Sequence, residues 1–135
     1  MDIIIYGSQH GSAKRYAEGL AERTGLKAVD YKEVDSLGLY NRVIYFGVIY
    51  ASGVTGLKKT LAKMTQGQEL FVITVGMVDP EDQAFIGPLR EALKKQIPPQ
   101  MYDEKRIFHL RGAIDYSQLE LKYSILMNMM YSKAS

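Results

Sequence analysis

The chain has 135 residues and carries 17 Lys and Arg against 15 Asp and Glu, which gives a formal net charge of +2. This length predicts one domain with a buried core, and so small a net charge does not indicate nucleic-acid binding. There is no Cys, which excludes disulfides and iron–sulfur ligation, and His10 and His109 are too far apart in sequence to indicate a metal site.

Apolar runs and amphipathic helical stretches alternate along the chain. Residues 2–6 form a β-branched run, typical of a parallel strand covered on both faces and too short for a signal peptide. Apolar residues then recur at helical spacing over residues 13–21, and Gly25 is a natural end for that helix. A short second strand is predicted at residues 26–31, followed by one or two helical turns within residues 33–40.

The second half of the chain repeats this alternation. The third strand is predicted at residues 42–47 and the next helix at residues 54–64. The fourth strand is predicted at residues 70–75, with a helix around residues 85–93 that stops before two prolines. Residues 106–110 and 117–131 are predicted as the fifth strand and the last helix. No stretch approaches the length of a membrane span, so we expect a soluble cytoplasmic protein.

Strand–helix alternation with short connections predicts right-handed crossovers and helices on both faces of a parallel sheet. We therefore predict one α/β domain over residues 1–135, a three-layer α/β/α sandwich with a five-stranded parallel sheet in the order 2-1-3-4-5. In that order a ligand lies beyond the carboxyl ends of the strands, where the winding direction changes. The loops after strands 1, 3 and 4 are therefore the candidate binding loops.

The loop after the first strand leads directly into a helix and contains Gly7, Ser8, Gly11 and Ser12. Unpaired backbone N–H groups and the positive end of the helix dipole favour a phosphate there, and the hydroxyls add donors. The alternative is that Ser12 only caps the helix. Ser12 also stands where a Walker loop needs Lys, and the three spaced glycines of a dinucleotide loop are missing. We therefore predict a phosphate monoester as the ligand.

The loops after the third and fourth strands are candidates for holding a flat ring. A ring system would stack on Ile49 and Tyr50 while backbone N–H groups reach its polar edge, and Gly53 would let the backbone come close. The alternative is that Tyr50 is a partly exposed tyrosine at the start of a helix. The loop after the fourth strand is also tight and contains Gly76, but its Asp79 is equally well explained as a helix N-cap.

Four segments, taken in order, resemble the flavodoxin domain family. DIIIYGSQHGSA resembles the phosphate loop of flavodoxins for flavin mononucleotide (FMN), and VIYFGVIYASG resembles their ring-holding loop. FVITVGMVDPED and HLRGAIDYSQL resemble the later segments of the branch that includes menaquinone-dependent protoporphyrinogen oxidase. The resemblance covers essentially the whole chain. It implies a flavodoxin-like fold, FMN as the cofactor and electron transfer as the function.

The resemblance also implies three groups of FMN-binding residues. Around the phosphate would lie Ser8, Gln9, His10, Gly11, Ser12 and Ala13. The isoalloxazine ring would be lined by Ile49, Tyr50, Ala51, Ser52 and Gly53. Its other side would be closed by Gly76, Met77, Val78 and Asp79.

Several features depart from the pattern of the family. His10 stands where many flavodoxins have Thr, and the chain contains no Trp. The sequence pI of about 8.7 is far from the acidic balance of electron-carrier flavodoxins. The protoporphyrinogen oxidases carry an extra loop after the fourth strand, where this chain has only a short segment, so their substrate is not implied.

The predicted function is FMN-dependent electron transfer with a redox partner protein or a small-molecule electron donor or acceptor. FMN would supply the redox chemistry, so we assign no catalytic residue and no metal. The alternatives are an FMN-dependent oxidoreductase acting on a small molecule or a quinone, and a binding module that has lost flavin. Arg111 and Asp115 would contact a substrate or form a structural ion pair. The last helix is apolar on more than one stripe, which predicts burial against the sheet or else a homodimer or membrane-surface contact.

Overall fold

The structure is a computed structural model that describes residues 1–8, 11–50, 53–77, 81–112 and 116–131, without the side chains of residues 116–118. Its strands are β1 (Asp2–Gly7), β2 (Ala28–Asp30), β3 (Arg42–Tyr50), β4 (Gly53–Val54), β5 (Glu69–Gly76) and β6 (Ile107–Arg111). Its α-helices are α1 (Ser12–Thr24), α2 (Leu57–Leu61), α3 (Gln83–Gln96) and α4 (Tyr116–Tyr131). Short 3₁₀ turns lie at Tyr31–Glu33 and Glu104–Arg106.

Five parallel strands form the main sheet, in the order β2-β1-β3-β5-β6. This is the predicted order 2-1-3-4-5, because β4 is an additional short strand that pairs antiparallel with the end of β3. The registers place Gly7 opposite Gly47 and Gly76 opposite Arg111, so the carboxyl ends of the strands share one edge of the sheet. The predicted three-layer α/β/α fold is confirmed, with one strand more than expected.

Helices cover both faces of the sheet because alternate strand residues point to opposite sides. On one face, Ile44 belongs to a core cluster with Leu20 of α1 and Leu126 of α4. On the other face, Val43 belongs to a cluster with residues of α2 and α3. Full burial of one such aliphatic side chain contributes about 1.5–3 kcal/mol, so these two clusters are the main source of stability.

Several predicted boundaries differ from the structure. β2 is shorter than the predicted strand because it is an edge strand that pairs only with residues 4–6 of β1. β3 runs on through Tyr50, where a loop from Gly47 was predicted, because β4 folds back onto it and continues the pairing. α2 begins only at Leu57, after Gly56 with a φ of 78°. α1 ends at Gly25, which has a φ of 74°, as the sequence predicts.

A charged network closes the amino edge of the sheet. Arg42 at the start of β3 contacts the carboxylates of Asp2 at 3.2 Å and Glu69 at 3.0 Å. Its guanidinium also donates to the backbone oxygen of Met130 in α4. Arg106 binds the second carboxylate oxygen of Glu69 at 2.6 Å. The network ties β1, β3, β5 and α4 together at the end of the sheet away from the predicted binding loops.

Candidate functional site

The predicted binding loops meet at the carboxyl edge of the sheet, where β1, β3 and β5 end side by side. The predicted site residues in the described part of the chain are Ser8, Gly11, Ser12, Ala13, Ile49, Tyr50, Gly53, Gly76 and Met77. The predictions for Gln9, His10, Ala51, Ser52, Val78 and Asp79 lie outside the described residues. The topology therefore brings the three loops to one edge, as the sequence predicts.

The loop after β1 makes a sharp turn into α1. The Ser8 hydroxyl accepts a hydrogen bond from the Gly11 N–H at 2.8 Å. Gly11 has a φ of 90°, in the left-handed region that favours glycine, and it is the N-cap residue of α1. No side chain in the described part of the chain caps this helix, so Ser12 does not have the capping role that the sequence allowed. Gly11 takes this position because the turn needs a positive φ.

The N-terminus of α1 is well suited to an anion. The first intrahelical hydrogen bond runs from Arg15 N–H to Gly11 O at 2.9 Å, which leaves the N–H groups of residues 12–14 without helical partners. The first turn contains no acidic residue, while Lys14 and Arg15 are exposed there. A Cβ atom added at Gly11 would have no heavy atom of the described residues within 4 Å. Donors, positive potential and free space therefore coincide at this turn.

The segment after β3 is a tight hairpin. Ile49 pairs with Val54 and Tyr50 with Gly53. Val54 and Thr55 lie so close to Gly7 of β1 and Gly47 of β3 that neither position has room for a side chain. A Cβ atom at Gly7 would be 2.2 Å from the Thr55 carbonyl oxygen, and one at Gly47 would be 2.2 Å from Val54 Cγ1. The Tyr45 hydroxyl, buried beneath the hairpin, donates to the Thr55 carbonyl.

The ends of β3 and β5 touch each other and leave apolar surface exposed. A Cβ atom at Gly76 would be 2.8 Å from Ile49 Cδ1, so the Ile49 side chain lies directly on the Gly76 backbone. Tyr50 is 65% exposed and Met77 is 85% exposed. Tyr50 ends β3 and Met77 follows β5, so both apolar side chains lie at the carboxyl edge of the sheet. A flat apolar molecule has a surface here to lie against.

The end of β6 borders the same edge. Gly112 N–H donates to Gly76 O at 2.7 Å, and the Tyr16 hydroxyl of α1 donates to Arg111 O at 2.6 Å. The Arg111 side chain is exposed and makes no hydrogen bond or ion pair with the residues that the structure describes. Asp115, its predicted alternative partner, lies outside those residues.

A buried histidine lies between β5, β6 and α3. His109 Nδ1 is 2.6 Å from the Thr74 hydroxyl, and both side chains are buried. Burial, with the charges of Arg90 and Lys122 nearby, lowers the pKa of His109 to about 4. The imidazole is therefore neutral at pH 7 and forms part of the core.

No group of three or more potential metal ligands is found in the described ranges. Within the same ranges, no helix is long and apolar enough to cross a membrane.

In α4, Tyr123, Leu126 and Met130 are buried, whereas Leu121 and Ile125 are more than 40% exposed. Most of the apolar character of this helix is therefore explained by packing on the sheet.

The flavodoxin domain model matches residues 3–135 of the chain. The chain belongs to this family. No curated protein matches it at the level of sequence. Solved structures share its fold: oxidised flavodoxin 1 from Bacillus cereus superimposes with a TM-score of 0.64 at 11% identity, covering 98% of this chain and 99% of that one. An archaeal flavodoxin gives 0.63 at 12% identity, covering 95% and 94%.

The same fold occurs as a part of larger proteins. Rubredoxin oxygen:oxidoreductase from Desulfovibrio gigas matches this flavodoxin domain with a TM-score of 0.62 at 13% identity, over 93% of this chain and 34% of that one. Identities this low establish the shared fold alone.

Sequence reasoning missed the contacts that join distant parts of this flavodoxin domain. Thr74 and His109 are 35 positions apart, and Tyr16 and Arg111 are 95 apart. Neither pair shares a helix or strand, so no periodicity marks it. The only available signal was indirect, since a polar residue such as Thr74 within an apolar strand needs a buried partner.

Proposed function

We propose that this flavodoxin domain binds FMN at the carboxyl edge of its sheet and passes electrons between FMN and a redox partner. One juxtaposition carries the proposal: the uncapped N-terminus of α1 opens on the same edge as the exposed Tyr50 and Met77. A donor set suited to a phosphate therefore lies on the same edge of the sheet as apolar side chains suited to a flat ring. FMN combines the two matching groups, a phosphate monoester and a flat ring.

The proposed phosphate site consists of Ser8, Gln9, His10, Gly11, Ser12 and Ala13. The backbone N–H groups at the start of α1 would donate to the phosphate oxygens, and the helix dipole favours the negative charge. The Gly11 N–H is already bound to the Ser8 hydroxyl, so it orders the turn and leaves the binding to its neighbours.

The proposed ring site consists of Ile49, Tyr50, Ala51, Ser52, Gly53, Gly76, Met77, Val78 and Asp79. Tyr50 offers an aromatic face and Met77 a polarisable thioether, and both make favourable contacts with an aromatic ring. The Ile49 side chain lies on the Gly76 backbone, so the ends of β3 and β5 pack together beneath the proposed ring.

Bound FMN would supply the redox chemistry, and the protein would tune it through stacking, hydrogen bonds and local charge. His109 is the described residue whose side chain would be best suited to acid–base catalysis. It is buried and hydrogen-bonded to Thr74, so it is not available to exchange protons with a substrate. We assign no catalytic residue. The proposed partner is a redox protein or a small-molecule electron donor or acceptor.

A second candidate function is that of an FMN-dependent oxidoreductase acting on a small molecule such as a quinone. The exposed Arg111 beside the ring-holding loop favours it, because its guanidinium can donate hydrogen bonds to the oxygen atoms of a small substrate. A binding module that has lost flavin is the less favoured alternative, since no described side chain caps the N-terminus of α1 and Tyr50 and Met77 are exposed. Contact through α4 with a second copy or a membrane surface stays a prediction.

Titration of the purified protein with FMN, riboflavin and FAD tests the proposal. Riboflavin lacks the phosphate, so we expect FMN to bind at least about a hundredfold more tightly, equivalent to about 2.7 kcal/mol of phosphate contacts. FAD should bind more weakly than FMN, because the loop suits a monoester. Equal affinities for FMN and riboflavin, or a preference for FAD, would contradict the proposal. Stepwise anaerobic reduction followed by absorbance then tests electron transfer.

A further inference from the structure

A tyrosine of β3 extends from the core to the backbone at the carboxyl edge of the sheet. Tyr45 is fully buried and belongs to the cluster that contains residues of α2 and α3. A Cβ atom at Gly47 would be 2.8 Å from Tyr45 Cε1, and one at Gly7, the last residue of β1, would be 2.5 Å from the Tyr45 hydroxyl oxygen. A Cβ atom at Gly56, the N-cap of α2, would also collide with this hydroxyl. Three glycines therefore leave room for one tyrosine side chain.

The Tyr45 hydroxyl holds the base of the hairpin after β3. It donates to the Thr55 carbonyl, and the Thr55 N–H donates to Val48 O at 2.9 Å. Both backbone polar groups of Thr55 are therefore bound, one by the backbone of β3 and the other by a side chain from the core. Burial raises the pKa of Tyr45 above its usual value, so the hydroxyl keeps its proton and remains a donor.

The hairpin that Tyr45 holds contains part of the proposed ring surface. Thr55 directly follows β4, in which Gly53 pairs with Tyr50 at the end of β3. An isolated two-stranded hairpin is marginally stable at best, and β4 has only two residues. The position of this hairpin over the strand ends therefore depends on bonds from the rest of the domain, and the Tyr45 hydroxyl provides one of them.

We propose that Tyr45 is a positioning residue for the flavin ring: its hydroxyl fixes the base of the hairpin and thereby the position of Tyr50 against the ring. This inference rests on the proposed function and names the buried group that adjusts the same site. Tyr45 acts through the hairpin and not by contact with the flavin. Phe at this position keeps the aromatic ring in the core, so the domain stays folded, and it removes only the hydrogen-bond donor.

Flavin binding to Tyr45→Phe provides the test, with Tyr123→Phe as the matched control. The Tyr123 hydroxyl is also buried and donates to Tyr16 O at 2.7 Å, where it joins α4 to α1. Each substitution removes one buried hydrogen bond, so each should increase the equilibrium constant for unfolding about fivefold. Only Tyr45→Phe should also weaken the binding of FMN and of riboflavin, each about fivefold, in fluorescence titrations of fully folded protein. Because the ring contacts and not the phosphate contacts change, the ratio of the two affinities should stay within twofold of the wild-type ratio.

The midpoint potential of bound FMN gives a readout that a loss of stability alone does not change. Tyr45→Phe should raise this potential, as expected when stacking by an electron-rich ring is weakened, whereas Tyr123→Phe should leave it unchanged. Because Tyr45 acts through Tyr50, the effects of substituting the two residues should not be additive. Adding Tyr45→Phe to Tyr50→Ala should therefore change the FMN affinity less than twofold.

The outcomes distinguish this inference from the proposed function. Four results would each overturn the positioning role of Tyr45 while FMN binding stands: unchanged flavin affinity or potential in Tyr45→Phe, equal changes in Tyr123→Phe, a fall in the ratio of FMN to riboflavin affinity, or additive effects with Tyr50→Ala. Failure of the wild-type protein to bind FMN would overturn the proposed function and, with it, this inference.

Discussion

The two edges of the sheet differ in whether their charged and polar side chains have partners within the protein. At the amino edge, Arg42 alone contacts two carboxylates and a backbone carbonyl, and Arg106 completes the network. At the carboxyl edge, the first turn of α1 has no side-chain cap in the described residues, and Tyr50, Met77 and Arg111 are exposed. One edge is closed by its own side chains, whereas the described residues of the other edge leave these groups exposed.

This difference separates the residues that stabilise the domain from those that bind. Parallel α/β sheets bind ligands at the carboxyl ends of their strands, where helix N-termini and loops converge. The exposed side chains of Tyr50 and Arg111 there make no hydrogen bond or ion pair with the described residues, whereas each contact of Arg42 joins two elements. Substitutions at the amino edge should therefore change stability alone, and substitutions at the carboxyl edge should change ligand binding.

The largest effect is expected at the amino edge, for Arg42→Met. This change leaves Asp2 and part of Glu69 without their cation in a partly buried setting, so we expect a loss of about 3 kcal/mol in the free energy of unfolding. Urea denaturation measures it. Arg23→Met is the matched control: Arg23 pairs with the exposed Glu120, and we expect a loss below about 1 kcal/mol. Under conditions in which both variants are fully folded, each should bind FMN with the wild-type affinity. A weaker FMN affinity in Arg42→Met would contradict the assignment of stability to one edge and binding to the other.

Gly11 and Gly25 allow a direct comparison at the two ends of α1. Both have positive φ values, 90° and 74°, and a Cβ atom at either would have no described heavy atom within 4 Å. Val at either position should cost about 1–2 kcal/mol of backbone strain. Only Gly11→Val should also weaken FMN binding, by about a hundredfold or more, because its side chain fills the phosphate space. Fluorescence titration with FMN measures both affinities. Similar affinities in the two variants would show that the turn at Gly11 is not part of the binding site.

Acid should destabilise the core without involving either edge. The pKa of His109 is about 4 in the folded protein, below the usual 6.5, because burial disfavours the imidazolium. The unfolded chain therefore binds a proton at His109 more tightly than the folded protein does. Above about pH 6.5 neither state is protonated and the folded protein keeps its full stability, which it loses as the pH falls towards 4. We expect about 2 kcal/mol less stability at pH 5 than at pH 7 from this group. In His109→Gln this part of the pH dependence should disappear, and an unchanged pH profile would refute the assignment.

The smallest effect is expected for Tyr50→Ala at the open edge. Loss of stacking should weaken FMN binding about tenfold and raise the midpoint potential of the flavin, because an electron-rich face disfavours the reduced anion. Stability should change little, since the side chain is 65% exposed. Tyr131→Ala, which removes a similarly exposed tyrosine from the end of α4, should alter neither property. Potentiometric titration measures the flavin potential. An unshifted potential in Tyr50→Ala would show that Tyr50 does not stack on the ring.

The sequence by itself determined the fold class, the strand order and the edge at which the loops meet. Apolar runs and helical spacing are local signals, and short strand–helix connections permit only right-handed crossovers, so the topology followed. The glycine at residue 25 ended α1 as expected, because a positive φ at a helix end is also a local requirement.

Only the tertiary structure decided how the loops fit together. The hairpin after β3 formed where a loop was expected, because Gly7 and Gly47 let residues 53–55 lie against the ends of two strands. Gly11 rather than Ser12 became the N-cap, because the turn required a positive φ. The His109–Thr74 and Tyr16–Arg111 bonds join elements far apart in the chain. Such contacts depend on the packing of whole elements, which the periodicity of a single segment does not record.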